Sequence, residues 1–101
     1  MALPTSTNYG QSVTKFAVGS TAVDLASIAD GNEQAVDVTI TGAQLGDFAF
    51  ASMSIDTTDI TLTATVTAAN TVTAVLANNT GGAIDLASAT LYVMVIPREV
   101  I

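Results

Sequence analysis

Residues 60–67 read Ile-Thr-Leu-Thr-Ala-Thr-Val-Thr, with apolar and hydroxyl side chains in strict alternation. A β-strand turns successive side chains to opposite faces. This period of two therefore predicts a strand with Ile60, Leu62, Ala64 and Val66 on a core, and Thr61, Thr63, Thr65 and Thr67 toward water or another protein. Six further segments carry strand patterns. Lys15-Phe16-Ala17-Val18 reads as a short strand closed by Gly19-Ser20, and 21–25 as a second. Residues 36–41 alternate cleanly, with Val36, Val38 and Ile40 inward; 48–55, 71–76 and 91–96 complete the set. Turn chemistry separates them at Asp30-Gly31-Asn32, Gly42, Gly46-Asp47, Asp56-Thr57-Thr58-Asp59, Ala68-Ala69-Asn70 and Asn78-Asn79-Thr80-Gly81-Gly82. No amphipathic helix of useful length is visible.

Two segments depart from simple alternation. Phe48 and Phe50 share one strand face, whereas Met53 and Ile55 fall on the other. A bulge near Ser52, or a crossing between two sheets, would bring both pairs to the core. Residues 91–96 are apolar on both faces, with Leu91, Val93 and Val95 on one and Tyr92, Met94 and Ile96 on the other. Such a strand is either central and covered on both sides or buried against another chain. Pro97 ends its pairing.

Seven strands with turns about every ten residues predict an all-β fold, an antiparallel β-sandwich or jelly-roll-like small domain, over 15–97. An extended N-terminal arm, 1–14, precedes it and a short tail, 98–101, follows. The arm is polar and aperiodic, with Leu3, Pro4 and Tyr9 as its sizeable apolar anchors; it folds back on its own domain or lies on a neighbouring subunit. A five-residue echo, Val23-Asp24-Leu25-Ala26-Ser27 against Ile84-Asp85-Leu86-Ala87-Ser88, is as well explained by chance in so Ala- and Ser-rich a chain.

Composition narrows the function. The 101 residues form one domain with enough chain for a single core. There is no Cys for a disulfide or thiolate metal site, and no His or Trp. Nine acidic residues against two basic ones, Lys15 and Arg98, give a net charge of −7. That surface repels phosphate backbones and acidic membrane surfaces, so neither nucleic acid nor membrane is expected as a partner. The longest apolar run, 91–96, is about a third of the ~20 residues a membrane-spanning helix needs. The first residues show neither a basic stretch nor an apolar one, so no secretory signal is expected. Half of the residues are apolar but only 11% are charged. So sparse a charge on a small domain suggests that part of its surface is covered, because interfaces lose charged residues at their centres.

Candidate chemistry is thin. Asp56 with Asp59, and Asp30 with Glu33, are the nearest thing to paired carboxylates, but turn Asp residues commonly bond their own backbone, and a glycosidase pair also needs a sugar cleft. Asp30-Gly31-Asn32-Glu33 gathers hard oxygens without the ligand spacing of a calcium loop. Ser and Thr nucleophiles have no His to serve as base, and Gly81-Gly82 lacks the Gly-Lys-Ser/Thr of a phosphate loop. No catalytic residue, cofactor or metal is expected, and the protein is not expected to be an enzyme. The positive signal is interaction surface: Leu3, Pro4 and Tyr9 in the arm, and Tyr92, Met94 and Ile96 on the last strand.

Gly46-Asp47-Phe48, then Thr67-Ala68-Ala69-Asn70-Thr71-Val72-Thr73, then Asn78-Asn79-Thr80-Gly81-Gly82-Ala83-Ile84-Asp85 and the apolar last strand form a pattern over roughly 36–96. It resembles small β-domain proteins encoded beside the capsid genes of tailed bacteriophages. The resemblance implies a virion structural protein of the capsid decoration (cement) type. Such a protein is a homo-oligomer, a trimer by preference, on the capsid exterior after synthesis in the host cytoplasm, and it bridges neighbouring major capsid protein subunits. It carries over no catalytic residue. Similar β-domains also occur in tail and fibre proteins, so the alternative is a receptor- or glycan-recognising domain of a tail fibre or adhesin.

Overall fold

The computed structural model describes residues 16–98. They form six strands, β1 (Ala17–Val23), β2 (Glu33–Thr39), β3 (Phe48–Met53), β4 (Thr61–Ala68), β5 (Thr71–Ala77) and β6 (Ala89–Ile96), and no α-helix. Two three-stranded antiparallel sheets, ordered β1-β6-β3 and β2-β5-β4, make a two-layer β-sandwich. Four of the five connections pass from one sheet to the other; only β4 and β5 form a hairpin. Leu3, Pro4, Tyr9 and the rest of the arm, with Lys15 and residues 99–101, lie outside the described residues.

Alternation does most of the folding. Val38 on β2, Val66 on β4, Val72 and Ala74 on β5, and Leu91, Val93 and Val95 on β6 meet between the sheets, joined by Val23, Ile40 and Ala43. Each large aliphatic side chain so buried contributes on the order of 1.5–3 kcal/mol. The threonines of β4 face outward, as the period of two requires. On that outer face Thr73 donates to the Asp37 carboxylate at 2.7 Å, and the Thr73 and Thr67 hydroxyls share a bond at 2.8 Å, tying three strands together.

The six strands correct the expected seven. Gly19-Ser20 does not end the first strand: β1 runs through it, with Gly19 opposite Val93 and Ser20 opposite Tyr92. Gly19 faces the interior, and a Cβ there would stand 2.6 Å from Ile40 Cδ1. The glycine makes room for a core side chain from the facing layer. Neither the bulge near Ser52 nor the crossing between sheets offered for this segment occurs. β3 pairs with β6 in unbroken register from Phe48 to Met53. Ala49, Ala51 and Met53 point inward, and Phe48 and Phe50 point out.

Both ends of the sandwich are closed by backbone-to-loop bonds. At one end the hairpin tip carries Asn70 at φ 64°, a left-handed conformation that Asn tolerates. Asn70 then clasps the chain after β2: its carbonyl accepts from Ile40 N (2.9 Å), its N–H donates to Ala43 O (2.8 Å), and its side-chain oxygen accepts from Gly42 N (2.8 Å). At the other end the residue just after the first echo segment pairs with the first residue of the second. Ile28 and Ile84 form a two-bond antiparallel bridge, and Ile28, Ile60, Leu76 and Leu86 bury a second small core beside Leu25. Asn78, fully buried, pins that end. Its Nδ2 donates to Ile28 O (2.7 Å) and Gly82 O (2.8 Å), while its Oδ1 accepts from the Thr80 N–H (2.9 Å) and hydroxyl (2.7 Å). Every polar atom of this buried amide is satisfied, and the breaker cluster is thereby a fixed loop.

Asn78→Ala removes the four side-chain bonds that hold the loop, leaving the Ile28 carbonyl with only its bond from Ile84 N, so it is expected to cost about 2–3 kcal/mol. Thermal unfolding should move down by roughly 10–20 °C, whereas Asn79→Ala, at an exposed position, should stay within about 0.5 kcal/mol of the parent. Equal midpoints for the two variants would remove Asn78 from its anchoring role.

Candidate functional site

Once Leu91, Val93 and Val95 are committed to the core, Tyr92, Met94 and Ile96 must lie on the outer face of β6. β6 is the middle strand, so the register assembles that face from three strands. Val18, Met94 and Phe50 stand in one row, Ser20, Tyr92 and Ser52 in the next. Phe48 lies opposite Ile96 at one end, and Ala22 opposite Thr90 at the other. Phe16, one residue ahead of β1, continues the same alternation and is exposed. Val18 is 75% exposed, Phe50 52% and Tyr92 49%, so among the described residues nothing covers this face. Met94 and Ile96 are half-buried between their neighbours.

Two features set the face apart. The first is where the aromatics are. All three phenylalanines and one of the two tyrosines lie on it, the other tyrosine, Tyr9, being outside the described residues. Among the described residues the cores contain none; their buried side chains are Val, Ile, Leu and Ala. Aromatic rings ordinarily supply much of the buried area of cores and interfaces, so their concentration outside marks a surface for burial by something else. The second feature is charge. Of nine acidic residues, Glu99 lies outside the described residues; the other eight (Asp24, Asp30, Glu33, Asp37, Asp47, Asp56, Asp59 and Asp85) sit on β2 or in loops, none on this face.

Along the middle of the face runs an open groove of about 420 Å³. Val18 and Phe50 form its sides and Met94 and Tyr92 its floor, with Ser20 and Ser52 supplying hydroxyls. Among the described residues no acid, base or amide side chain lines it. Two of the carboxylates singled out in the sequence, Asp56 and Asp30, serve loops instead, as does Asp47. Asp56 Oδ1 accepts from Thr58 N at 2.9 Å in a turn where Thr58 and Asp59 both have positive φ. Asp30 Oδ1 accepts from Gly81 N at 3.0 Å, joining two loops. Asp47 accepts from Gln44 N (3.0 Å) and Arg98 N (3.3 Å), fixing the entry to β3 against the exit from β6. Among the described residues no three His, Cys, Asp or Glu side chains converge on a common point.

Of the six residues proposed from sequence, Tyr92, Met94 and Ile96 share this face, and Leu3, Pro4 and Tyr9 lie outside the described residues. Phe16, Val18, Phe48 and Phe50 were not foreseen on it. The signal was present in β3: positions 49, 51, 53 and 55 form an unbroken inward series once small alanines are allowed to face a core. No protein-family model, no curated protein and no solved structure matches this chain, so the face is interpreted on its own chemistry.

An aromatic removed from this face should barely disturb folding, in reverse of the usual rule. Phe50→Ala is expected to change unfolding free energy by less than about 1 kcal/mol. Leu91→Ala, at a fully buried site on the adjacent strand, should cost about 2–5 kcal/mol. Urea titrations of both variants give the comparison, and a large loss for Phe50→Ala would mean that the face is already covered.

Proposed function

We propose that this chain is a non-catalytic structural subunit that works within an assembly, with the outer face of the β1-β6-β3 sheet covered by protein. One observation carries this most: four aromatic residues are displayed on an uncharged sheet face while the core is wholly aliphatic. Water-exposed aromatic area of this kind is expensive to leave open and typical of interface centres. The setting comes from the resemblance of the 36–96 pattern to tailed-phage β-domain proteins. In that setting the protein decorates the exterior of a capsid and bridges neighbouring major capsid subunits as a homo-oligomer, a trimer by preference.

Its action is mechanical. Each copy buries surface across a seam between shell subunits, and many weak seams held at once give a large total stabilisation. The net charge of −7 suits this role, since a strongly acidic body stays soluble and is repelled by packaged nucleic acid. A receptor- or glycan-recognising role remains the second reading, favoured by the groove in which Phe50 and Tyr92 flank the Ser20 and Ser52 hydroxyls. Three hydroxyls are a small hydrogen-bonding set for a sugar, and this places the glycan reading second.

Adding the full chain to capsid shells of its parent particle should raise the temperature at which they fail. The double variant Val18→Asp/Phe50→Asp, folded to the same unfolding midpoint, should lose that effect, because a buried unpaired carboxylate opposes docking. Shells that neither bind the parent protein nor gain heat resistance, together with saturable binding to defined glycans, would transfer the assignment to recognition.

A further inference from the structure

We infer that β3 is a docking edge: its free side pairs antiparallel with β3 of a second copy, about a two-fold axis at Phe50, and joins two sheets into one of six strands. The inference goes beyond the assembly role proposed above and stands without the capsid. A two-fold link of this kind joins copies within a pair or between trimers.

The edge is open and unguarded. β3 pairs with β6 on one side only. Ser54 N donates to Thr90 O at 2.9 Å, which sets the alternation along the pair. Ser52, Phe50 and Phe48 therefore bond to β6, and Ala49, Ala51 and Met53 turn their N–H and C=O groups outward. Among the described residues no hydrogen-bonding partner meets those groups. Free edges ordinarily carry a charge, a proline or a bulge that keeps other strands away. β2 has Glu33 and Asp37, and β4 has a register shift between Val66 and Ala68. β3, Phe-Ala-Phe-Ala-Ser-Met in unbroken register, has none of these.

Charge selects this edge over β1, which is also uncharged. β1 lies over the acidic β2 of the facing layer, whereas β3 lies over β4, whose outward side chains are threonines. Two bodies of net charge −7 can meet on the β3 side without setting strand carboxylates against each other. β1 also has only Gly19, Ser20, Thr21 and Ala22 at its middle, which give a cross-strand pair little to pack.

The strand is complementary to itself, and this selects a second copy as the occupant. Residues directly opposite in an antiparallel pair share a face, so only positions of like parity can be matched. Setting Phe50 against Phe50 of the other copy matches Phe48 with Ser52 and Ala49 with Ala51, and so uses nearly the whole strand. Ala49 and Ala51 exchange their outward backbone groups with Ala51 and Ala49 opposite. Phe50 then falls at a position not bonded across the pair, where Cα atoms stand about 4.5 Å apart and two rings can pack together. The ends of the strand match as well. The Arg98 guanidinium lies over Gly46, just before β3, and Asp56 and Asp59 lie in the turn just after it. Asp47, beside Arg98, already accepts from Gln44 N and Arg98 N. Antiparallel pairing brings the guanidinium of each copy to the acidic turn of the other, which an uncharged strand would not satisfy.

Pairing also enlarges the apolar face. One face covers about 350–400 Å² in plan, three strands wide and four alternate residues long. Two joined through β3 offer about twice that, close to the ~800 Å² that an ordinary interface takes from one partner. The ladder itself is short, so copies pair at high concentration, which many copies gathered on one surface provide.

The chain contains no cysteine, so thiols placed one per copy report the contact without interference. At high concentration and under mild oxidation, Phe48→Cys protein mixed with Ser52→Cys protein should give a reducible mixed dimer. Neither variant should dimerise alone, because positions 48 and 48, or 52 and 52, stand four residues or about 13 Å apart across the axis. Phe50→Asp and Phe50→Lys, each with the parent's unfolding midpoint, should each lose self-association in sedimentation, and mixing the two should restore it. A Ser52→Cys homodimer would overturn the inference in favour of stacked faces. A Ser20→Cys homodimer in place of the 48–52 link would overturn it in favour of β1. Absence of any cross-link overturns it as well. Copies that link 48 to 52 but fail to bind shells would remove the capsid role and leave the pairing standing.

Discussion

A strand cannot turn two successive side chains to the same side, and in β6 that restriction governs the rest of the molecule. Leu91, Val93 and Val95 are all but inaccessible to solvent and anchor the contact between layers. Burying them forces Tyr92, Met94 and Ile96 to the opposite face. Because β6 is central, its register with β1 and β3 lines up Val18, Phe50, Phe48 and the serines on the same outer surface. Core and candidate site are thus two sides of one decision about register, and a slip of one residue would exchange them.

The two outer faces of the sandwich are chemically opposite. The β2-β5-β4 face displays threonines, Asp37 and Glu33, with hydroxyl and carboxylate bonds running across the strands. It is suited to water. The β1-β6-β3 face displays rings and aliphatic groups without a charge. Both belong to a body whose ends are clasped by Asn70 and Asn78, two amides that hold loops to strand ends through backbone groups. A rigid frame of this kind presents its apolar face ready-formed, so a partner need not first organise it.

The strand count is where local chemistry was outvoted. Gly19-Ser20 carries a turn signal, yet β1 continues through it because a missing Cβ is what Ile40 needs in order to enter the core. The same holds for β3, where large side chains suggested the core face. Alanines 49 and 51 took it, since Leu91, Val93 and Val95 on the neighbouring strand had already filled the space between the layers. Size is a poor guide to burial when the adjacent strand supplies the volume.

From its residue pattern alone the chain determined an all-β architecture, the hairpin between β4 and β5, the inward positions of β2 and β4, the turns and the acidic balance. These follow from side-chain period and turn chemistry, which act over a few residues. Tertiary structure decided which strand stood at the centre of each sheet and which of two apolar faces of β6 went to the core. It also turned the phenylalanines outward. These outcomes depend on register between segments far apart in the chain, and register is set by how volumes fit between two layers, which no local period encodes.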